Sequence, residues 1–218
     1  LSNEERDLGV CLIDIGCGTT DIAIFTDGTI KHTAVIPIGS QMITNDIRII
    51  LCTSLDAAEE IKIQYGAVSS DNDVDVKIPV PSVSDKPDTE TTKTILTQII
   101  SARVNEIFDA IQKEIHNSGY SGKIRAGIVF TGGGAKLEGL DSFAESYFQK
   151  PSRIGSPKSI KGLEDLRGKT RYSTAVGLLL YRQRELSLLA SKNKYTSKIG
   201  SILDKYAKKL SNYFQKEL

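Results

Sequence analysis

The residue types best suited to chemistry occur together in residues 14–21, which read DIGCGTTD. Gly16 and Gly18 lack a Cβ, so backbone N–H groups can approach phosphate oxygens, and the hydroxyls of Thr19 and Thr20 can donate further hydrogen bonds. The segment therefore predicts a phosphate-binding loop. The alternative is a structural glycine hairpin capped by threonines, and the segment alone leaves both open.

Asp14 stands at the end of an apolar run, directly before this loop. Mg²⁺ that accompanies a nucleotide keeps several water ligands, so a single carboxylate can hold it through water. We expect Asp14 to take this role.

A second glycine-rich segment, Thr131 to Ala135, reads TGGGA. It separates a predicted buried strand, Ala126 to Thr131, from a predicted helix, Ala135 to Phe148. The N-terminus of a helix presents oriented N–H groups that favour anions. This loop is a weak motif alone, but together with the first loop it indicates a nucleotide site.

Glu59 and Lys62 are spaced i, i+3 in a predicted helix from Thr53 to Gly66, so they share one face. Together they can grip a ribose or a base edge. The simpler interpretation is a solvated ion pair.

His32 and His116 have no companion at ligand spacing, and we expect surface side chains without a metal.

The elements that position these residues follow from apolar periodicity and turn residues. Three strands are predicted at Leu8–Ile15, Asp21–Phe25 and Ile30–Ile38, and an Asp-Gly pair marks the second turn as a tight hairpin. A helix is predicted after Gly39 and through Leu51.

Further along the chain, an edge strand is predicted at Val74–Val80 and an exposed loop at Ser82–Thr91. Two more helices are predicted at Thr92–His116 and Ser173–Arg184. The order of elements predicts an α/β fold in which helices pack on a mixed sheet.

Composition indicates an ordinary globular chain of 218 residues with a net charge of +1, which does not suggest nucleic-acid binding. Three cysteines without metal or redox spacing argue against a secreted disulfide framework and favour a reducing cytosol. The chain starts at Leu1 and its single methionine is Met42, so we expect a piece of a longer protein.

Residues 199–218 predict a basic amphipathic helix, preceded by a mostly polar tether at 187–198. Its apolar face consists of Ile199, Ile202, Leu203, Tyr206, Leu210, Tyr213 and Phe214, and lysines such as Lys209 flank that face. The pattern is typical of a helix that lies on an anionic membrane surface, because lysines interrupt it too often for it to span. A helix that packs on its own domain or on a calmodulin-like partner is the alternative.

Taken together, the segments LGVCLIDIGCGTTDIAIF, IKHTAVIPIGSQMITNDI, AEEIKIQYG, AGIVFTGGGAKLEGL and YSTAVGLLLY and the basic C-terminal helix resemble the FtsA family of bacterial division proteins. The resemblance covers nearly the whole chain in order. It implies the second half of the actin-type ATPase fold, with an inner nucleotide-binding subdomain (residues 1–45 and 125–186) and a smaller outer subdomain (46–124).

The resemblance also implies a site for ATP and Mg²⁺. The first loop corresponds to a phosphate motif and the second to the adenosine motif, while Glu59 and Lys62 match the pair that clasps the sugar and base. The implied nucleotide-binding residues are Gly16, Cys17, Gly18, Thr19, Thr20, Glu59, Lys62, Gly132, Gly133, Gly134 and Ala135. Cys17 departs from the glycine that is common in the family, so its side chain must point away from the phosphates.

Members of this family bind ATP, polymerise, sit on the cytoplasmic face of the inner membrane at the division site, and recruit FtsZ. By resemblance we expect the FtsZ C-terminal tail to dock on the outer subdomain near Arg103, other division proteins to bind elsewhere, and the terminal helix to bind the membrane. The first phosphate loop of the fold lies upstream, so we expect negligible ATPase activity from this chain alone. A sugar-type kinase and a pilus or cell-shape scaffold of the same superfamily are the alternatives.

Overall fold

The computed structural model describes residues 1–69, 76–83, 87–157 and 168–188. The chain divides into two compact units, Leu1–Ser173 and Thr174–Leu218. The first unit contains the sheets and all of the residues that the sequence assigns to a nucleotide site. Within the second, the described residues continue a helix that spans 173–188.

A five-stranded mixed sheet with the strand order β3-β2-β1-β6-β7 forms the centre of the first unit. Strands β1 to β3 are antiparallel neighbours, whereas β6 and β7 run parallel to β1. The strand bounds are β1 Val10–Ile15, β2 Thr20–Thr26, β3 Thr29–Ile36, β6 Ile128–Thr131 and β7 Ser152–Ile154. The expected mixed α/β architecture is thereby confirmed.

The turn between β2 and β3 shows how local sequence sets the sheet register. Asp27 and Gly28 have φ of 53° and 72°, the positive pair that a two-residue hairpin requires. Thr26 consequently pairs with Thr29, and the ladder continues along both strands except for an irregularity at Ile24 and Phe25. The Asp-Gly signal therefore predicted this hairpin correctly.

The described part of the first unit also contains five α-helices: α1 Asn3–Leu8, α2 Ser40–Ile50, α3 Leu55–Tyr65, α4 Lys93–Asn117 and α5 Leu140–Phe148. A separate hairpin of β4 (Lys77–Val80) and β5 (Thr89–Thr92) precedes α4. The Ser54 side chain accepts a hydrogen bond from an N–H group in the first turn of α3, and the Thr92 side chain does the same for α4. These N-caps explain where the two helices begin.

The long helix α4 packs its apolar stripe into the core. Phe108 on α4 is fully buried and lies 5.7 Å from the ring of Phe130 on β6 and 4.9 Å from that of Phe148 on α5, centroid to centroid. Aromatic clusters of this kind bury much apolar area and fix ring orientation. The cluster anchors β6, the strand that leads into the second glycine loop.

Helix α1 and strand β7 are short elements that the sequence pattern did not predict. Helix α1 begins with a capping box, in which Ser2 and Glu5 exchange hydrogen bonds between side chain and backbone. The sequence contains this signal, a serine followed three residues later by a glutamate. Strand β7 has only three residues, and it exists because Ser152 to Ile154 pair with β6.

Several predicted boundaries are wrong. The strand expected from Leu8 begins at Val10, because Leu8 is the last residue of α1. The loop expected at 82–91 overlaps β5, because Thr89 to Thr92 pair with β4 and bury Thr91. Helix α5 begins at Leu140 rather than Ala135, since residues 134–136 form a 3₁₀ turn and Leu137 is extended. The tether expected from 187 is wrong at its first two residues, because residues 187 and 188 are helical.

The predicted amphipathic segment at 199–218 lies outside the described residues, as does the tether from residue 189. Residues 74 and 75 of the expected edge strand do so as well. Among the helices that the structure describes, none combines the length and the apolar character needed to cross a bilayer.

Candidate functional site

The sheet brings the two glycine loops together. Strand β1 runs parallel to β6, and Asp14 is the register partner of Thr131, so the loops that follow these residues leave the same edge. Gly132 has φ of +90°, and a Cβ built there would lie 2.3 Å from Asp14 Oδ1 and 2.4 Å from the Ile15 carbonyl oxygen. This position therefore needs glycine for both conformation and space.

The glycines that follow Gly132 differ from one another. A Cβ at Gly134 would lie 2.4 Å from Ile15 Cγ2, so Gly134 permits the two loops to touch. A Cβ at Gly133 would meet nothing within 4 Å, and the same holds for Gly18 in the first loop. Gly134 is thus required by packing, whereas Gly133 and Gly18 leave open space beside the backbone.

The first turn of α2 closes on the first loop. Ser40 N–H donates to the Gly16 carbonyl and Gln41 N–H donates to the Cys17 carbonyl, both at 2.9 Å. A Cβ at Gly39 would lie 2.3 Å from the Cys17 carbonyl oxygen, so this glycine permits the close approach. The loop is consequently held by backbone hydrogen bonds on the side of α2.

The polar side chains of the first loop have partners of their own. Thr20 is fully buried and its hydroxyl donates to the Ile38 carbonyl at 2.7 Å, so the hydroxyl expected to contact phosphate is committed within the protein. Thr19 donates to Asp21 at 3.4 Å. The exposed Cys17 thiol lies 2.9 Å from Gln41 Oε1. A glycine in its place would remove this side-chain contact.

A cavity of about 560 Å³ lies beside the two loops. Its walls come from both loops, from α2, from α3 and from the segment after the second loop. The lining residues are Cys17, Ser40, Gln41, Thr44, Leu55, Asp56, Glu59, Lys62, Ile63, Gly66, Gly133, Gly134, Lys136, Leu137 and Arg171. Its volume suits a small-molecule ligand of nucleotide size.

Side chains rather than backbone form the α2–α3 side of the cavity. Lys62 Nζ donates to Glu59 Oε2 and to Thr44 Oγ1, both at 2.7 Å. Lys62 is 8% exposed, so the alternative of a fully solvated ion pair is wrong. The Glu59 carboxylate is the half-exposed partner, and it faces the cavity.

The surroundings of Glu59 change its acidity. Partial burial raises the pKa, but hydrogen bonds from Lys62 and Thr44 and the charge of Lys62 outweigh it, and the pKa of Glu59 lies below the ordinary value. Glu59 is therefore ionised at neutral pH. An ionised carboxylate is an acceptor only, which suits a ligand that presents hydroxyl groups.

Five residues from the predicted nucleotide set line the cavity: Cys17, Glu59, Lys62, Gly133 and Gly134. The others, Gly16, Gly18, Thr19, Thr20, Gly132 and Ala135, build the loops beside it without lining it. Their assignment to a nucleotide stays a prediction.

Sequence reasoning missed several lining residues. Lys136 follows the glycines directly and could have been included from its position. Thr44, Ile63 and Arg171 have no such signal, because only the packing of separate elements brings them to the cavity.

Asp14 lies where the two loops meet, with its carboxylate against Gly132. Within the described residues, no group of three or more His, Cys, Asp or Glu side chains could hold a metal ion. The donor set thus fits a cation that arrives with its own phosphate and water ligands, not one bound by protein alone.

Arg103 is more buried and better paired than an exposed helix arginine. Its Nε and Nη2 donate to the two Asp46 oxygens at 2.6 Å and 2.9 Å, and Nη1 donates to Glu106 at 2.5 Å. His32 is likewise half-buried, with Nε2 2.8 Å from Glu114 Oε1. Both side chains join separate elements or turns of the first unit.

Comparison with known proteins identifies a family. The family model described as "Cell division protein FtsA" matches residues 11–177. The cell division protein FtsA of Pseudomonas aeruginosa is 46% identical over 202 residues, covering 90% of this chain and 48% of that protein. That of Escherichia coli is 36% identical over 225 residues, covering all of this chain and 53% of that protein. The chain thus spans about half the length of these curated relatives.

Solved structures share the fold at lower identity. MreB5 of Spiroplasma citri bound to ADP has a TM-score of 0.70 at 21% identity, covering 87% of this chain and 57% of that one. The PilM-PilN type IV pilus biogenesis complex has a TM-score of 0.60 at 19% identity, covering 82% and 47%. The fold is therefore that of the actin-like proteins, as expected.

Proposed function

The chain belongs to the FtsA family of cell division proteins, and from that premise we propose that it forms the nucleotide-binding half of an actin-like protein that tethers FtsZ filaments to the membrane. The proposal includes a role in assembling the septal ring on the cytoplasmic face of the inner membrane. Family membership favours this function over a small-molecule kinase or a pilus or cell-shape scaffold.

One observation supports nucleotide binding above the others: the two glycine loops and the Glu59 carboxylate converge on a single cavity. Backbone near Gly133 and Gly134 offers a surface without side chains, against which a flat base can approach closely. The phosphates are assigned to the side of the first loop, where Cys17 lines the cavity. Asp14 would hold Mg²⁺ through water, and that ion would neutralise phosphate charge.

Gly133 offers a direct test of this site. A Cβ added at Gly133 meets no protein atom within 4 Å, so a Gly133→Val chain should fold with the new side chain projecting into the cavity. We expect ATP with Mg²⁺ to give ligand-observed NMR saturation transfer with the unaltered chain and none with Gly133→Val. Gly122→Val is the matched control, because Gly122 is equally open and does not line the cavity. Equal ATP signals from all three chains would refute the site.

Turnover should require more than this chain. The cavity is bounded by the loops, α2 and α3, and by resemblance the groups that polarise water belong to the half upstream. We expect no ATP hydrolysis above buffer by the purified 218-residue chain. Multiple turnovers that co-purify with the chain through successive columns would contradict this expectation.

The membrane contact is proposed for residues 199–218, with Ile199, Ile202, Leu203, Tyr206, Leu210 and Phe214 on the buried face and Lys209 at the headgroups. We expect the chain to sediment with anionic liposomes, and a version that stops at Ser197 to remain in the supernatant. Each lysine near an anionic surface adds on the order of 1 kcal/mol, so binding should weaken as salt rises. Equal sedimentation of both versions would refute the membrane role.

The proposed partners are the FtsZ C-terminal tail, further copies of the protein in filaments, and other division proteins. The FtsZ tail is assigned to the outer subdomain at 46–124, with Arg103 as the contact. Because Asp46 and Glu106 already pair with Arg103, an acidic peptide would have to share or displace them. Arg103→Ala should weaken binding of an FtsZ tail peptide in fluorescence anisotropy, and Arg125→Ala, which lies outside this subdomain, should not.

A further inference from the structure

All three N–H groups of the Lys62 ammonium have hydrogen-bond acceptors within the protein. The three acceptors are Thr44 Oγ1 and Glu59 Oε2 at 2.7 Å and the Ser40 carbonyl oxygen at 3.4 Å. The side chain is 9% exposed, compared with 73% for the surface ion-pair residue Lys77. Although Lys62 lines the cavity, it has no donor left for a ligand in this arrangement.

Thr44 connects this lysine to the carboxylate. Its oxygen accepts from Lys62, and its single proton has two acceptors within reach, Glu59 Oε2 at 2.5 Å and the Ser40 carbonyl oxygen at 3.4 Å. The shorter contact to an ionised acceptor is the stronger one, so the proton is donated to Glu59. Thr44 is 1% exposed, and this hydrogen bond joins helix α2 to helix α3.

The result is an asymmetric carboxylate. Glu59 Oε2 receives hydrogen bonds from both Thr44 and Lys62, whereas Oε1 has no hydrogen-bond partner among the described residues. Glu59 lines the cavity, and Ser40, the residue whose carbonyl Lys62 also contacts, is bonded through its N–H to the first loop at Gly16. A continuous path therefore runs from the phosphate loop to the carboxylate.

We propose that Thr44 and Lys62 are positioning residues that hold Glu59 Oε2, so that Oε1 is presented to a hydroxyl group of the bound ligand. This inference rests on the proposed nucleotide site, in which the hydroxyl groups are those of the ribose. In this arrangement Lys62 acts through Glu59, because its three donors already have acceptors within the protein. Thr44 transmits the position of the first turn of α2 to the ribose acceptor.

The first test needs no ligand. Thr44→Val keeps the shape of the side chain and removes the hydroxyl, so the pKa of Glu59 should rise toward its ordinary value, while Thr44→Ser should retain the lowered pKa. Carboxyl carbon NMR titration measures both. Thr97→Val is the matched control, because the buried Thr97 hydroxyl has no hydrogen-bond partner in the described part of the chain, and it should leave the pKa of Glu59 unchanged. An unchanged Glu59 pKa in a folded Thr44→Val chain would overturn the proposal.

A measurement on the unaltered chain covers the case in which Thr44→Val does not fold. Three acceptors should protect the Lys62 ammonium protons, so they should exchange with water more slowly than those of Lys77, whose pair with Glu90 is exposed. Nitrogen-detected NMR of lysine side chains resolves the two groups. Exchange at Lys62 as fast as at Lys77 would overturn the proposal.

The third test asks whether the position matters for recognition. ATP should bind the unaltered chain about tenfold more tightly than 2′,3′-dideoxy-ATP, because a hydrogen bond to a carboxylate is lost. Thr44→Val should reduce this preference for ATP over dideoxy-ATP, and Thr44→Ser should restore it. A preserved preference in Thr44→Val would refute the positioning role. Absence of ATP binding to the unaltered chain would refute the nucleotide site instead, and the pKa and exchange results would still decide the geometry.

Discussion

The cavity has two walls that are built in different ways. The glycine wall, Gly133 and Gly134, consists of backbone. Gly132, directly before it, and the pairing of β1 with β6 hold this backbone in place. The side-chain wall, Thr44, Glu59 and Lys62, consists of hydrogen-bonded polar groups on two helices. The comparison shows that one site can combine a surface defined by absent side chains with one defined by charge.

Different kinds of substitution should consequently disrupt the two walls. Added volume at Gly132 or Gly134 disrupts the glycine wall, because a Cβ there would overlap Asp14 or Ile15. Removed charge disrupts the side-chain wall, because Lys62 is buried with its partners. Substitutions that change volume or charge alone can therefore separate the two.

The largest effect is expected at Gly132. Gly132→Ala places a Cβ at 2.3 Å from Asp14 Oδ1 in a backbone with φ of +90°, so steric overlap and backbone strain act together. We expect a loss of about 3 kcal/mol in the free energy of unfolding. Urea denaturation followed by circular dichroism measures it. A loss no greater than that of Gly122→Ala, where the space is open, would show that the loops can separate without cost.

The next effect concerns charge. Lys62→Met keeps most of the side-chain stem but leaves Glu59 Oε2 and the buried Thr44 hydroxyl without their cation. We expect a loss of about 2 kcal/mol in unfolding free energy, reduced from that of a fully buried pair because Glu59 is half-exposed. Lys77→Met, which breaks an exposed pair, is the control and should change stability little. Equal losses of unfolding free energy from the two substitutions would show that Lys62 stabilises the fold no more than an exposed lysine does.

Sequence predicted the glycine wall far better than the side-chain wall. The strand ends at Ile15 and Thr131, the glycines and the hairpin at Asp27 depend on local backbone requirements that residue types reveal. The error at Ala135 arose from a nonlocal contact, because Glu138 forms an isolated parallel bridge with Ala67 and the chain stays extended there. Local propensity contains no information about that bridge.

The side-chain wall was recognised only as a pair. The i, i+3 spacing of Glu59 and Lys62 indicates a shared helix face, but it does not say whether that face is buried. Burial is decided by α2, which places Thr44 against the lysine. For the same reason the sequence suggested a phosphate contact for Thr20, although the β2 pairing buries it and directs its hydroxyl to Ile38.

A smaller effect should appear in the pH dependence of stability. Burial alone would raise the pKa of Glu59, but the hydrogen bonds from Lys62 and Thr44 lower it below the ordinary 4.5. Its contribution to stability is therefore fully present above pH 4.5 and is lost as pH falls through the lowered pKa. Lys62→Met should lose less stability than the unaltered chain over this acid range, as measured by urea midpoints. Parallel pH profiles would contradict the assigned pairing.

The smallest effect is expected at Gly133 and has the opposite sign. Its φ of −68° and ψ of −40° are helical values that alanine adopts readily, and a Cβ there meets nothing within 4 Å. Gly133→Ala should raise the free energy of unfolding by about 0.5 kcal/mol, because alanine has less freedom in the unfolded chain. A thermal melt beside Gly132→Ala gives the contrast directly, since adjacent glycines should move stability in opposite directions. If both substitutions destabilise the chain, Gly133 is also held by packing, and the glycine wall has no position at which a side chain can be added without loss of stability.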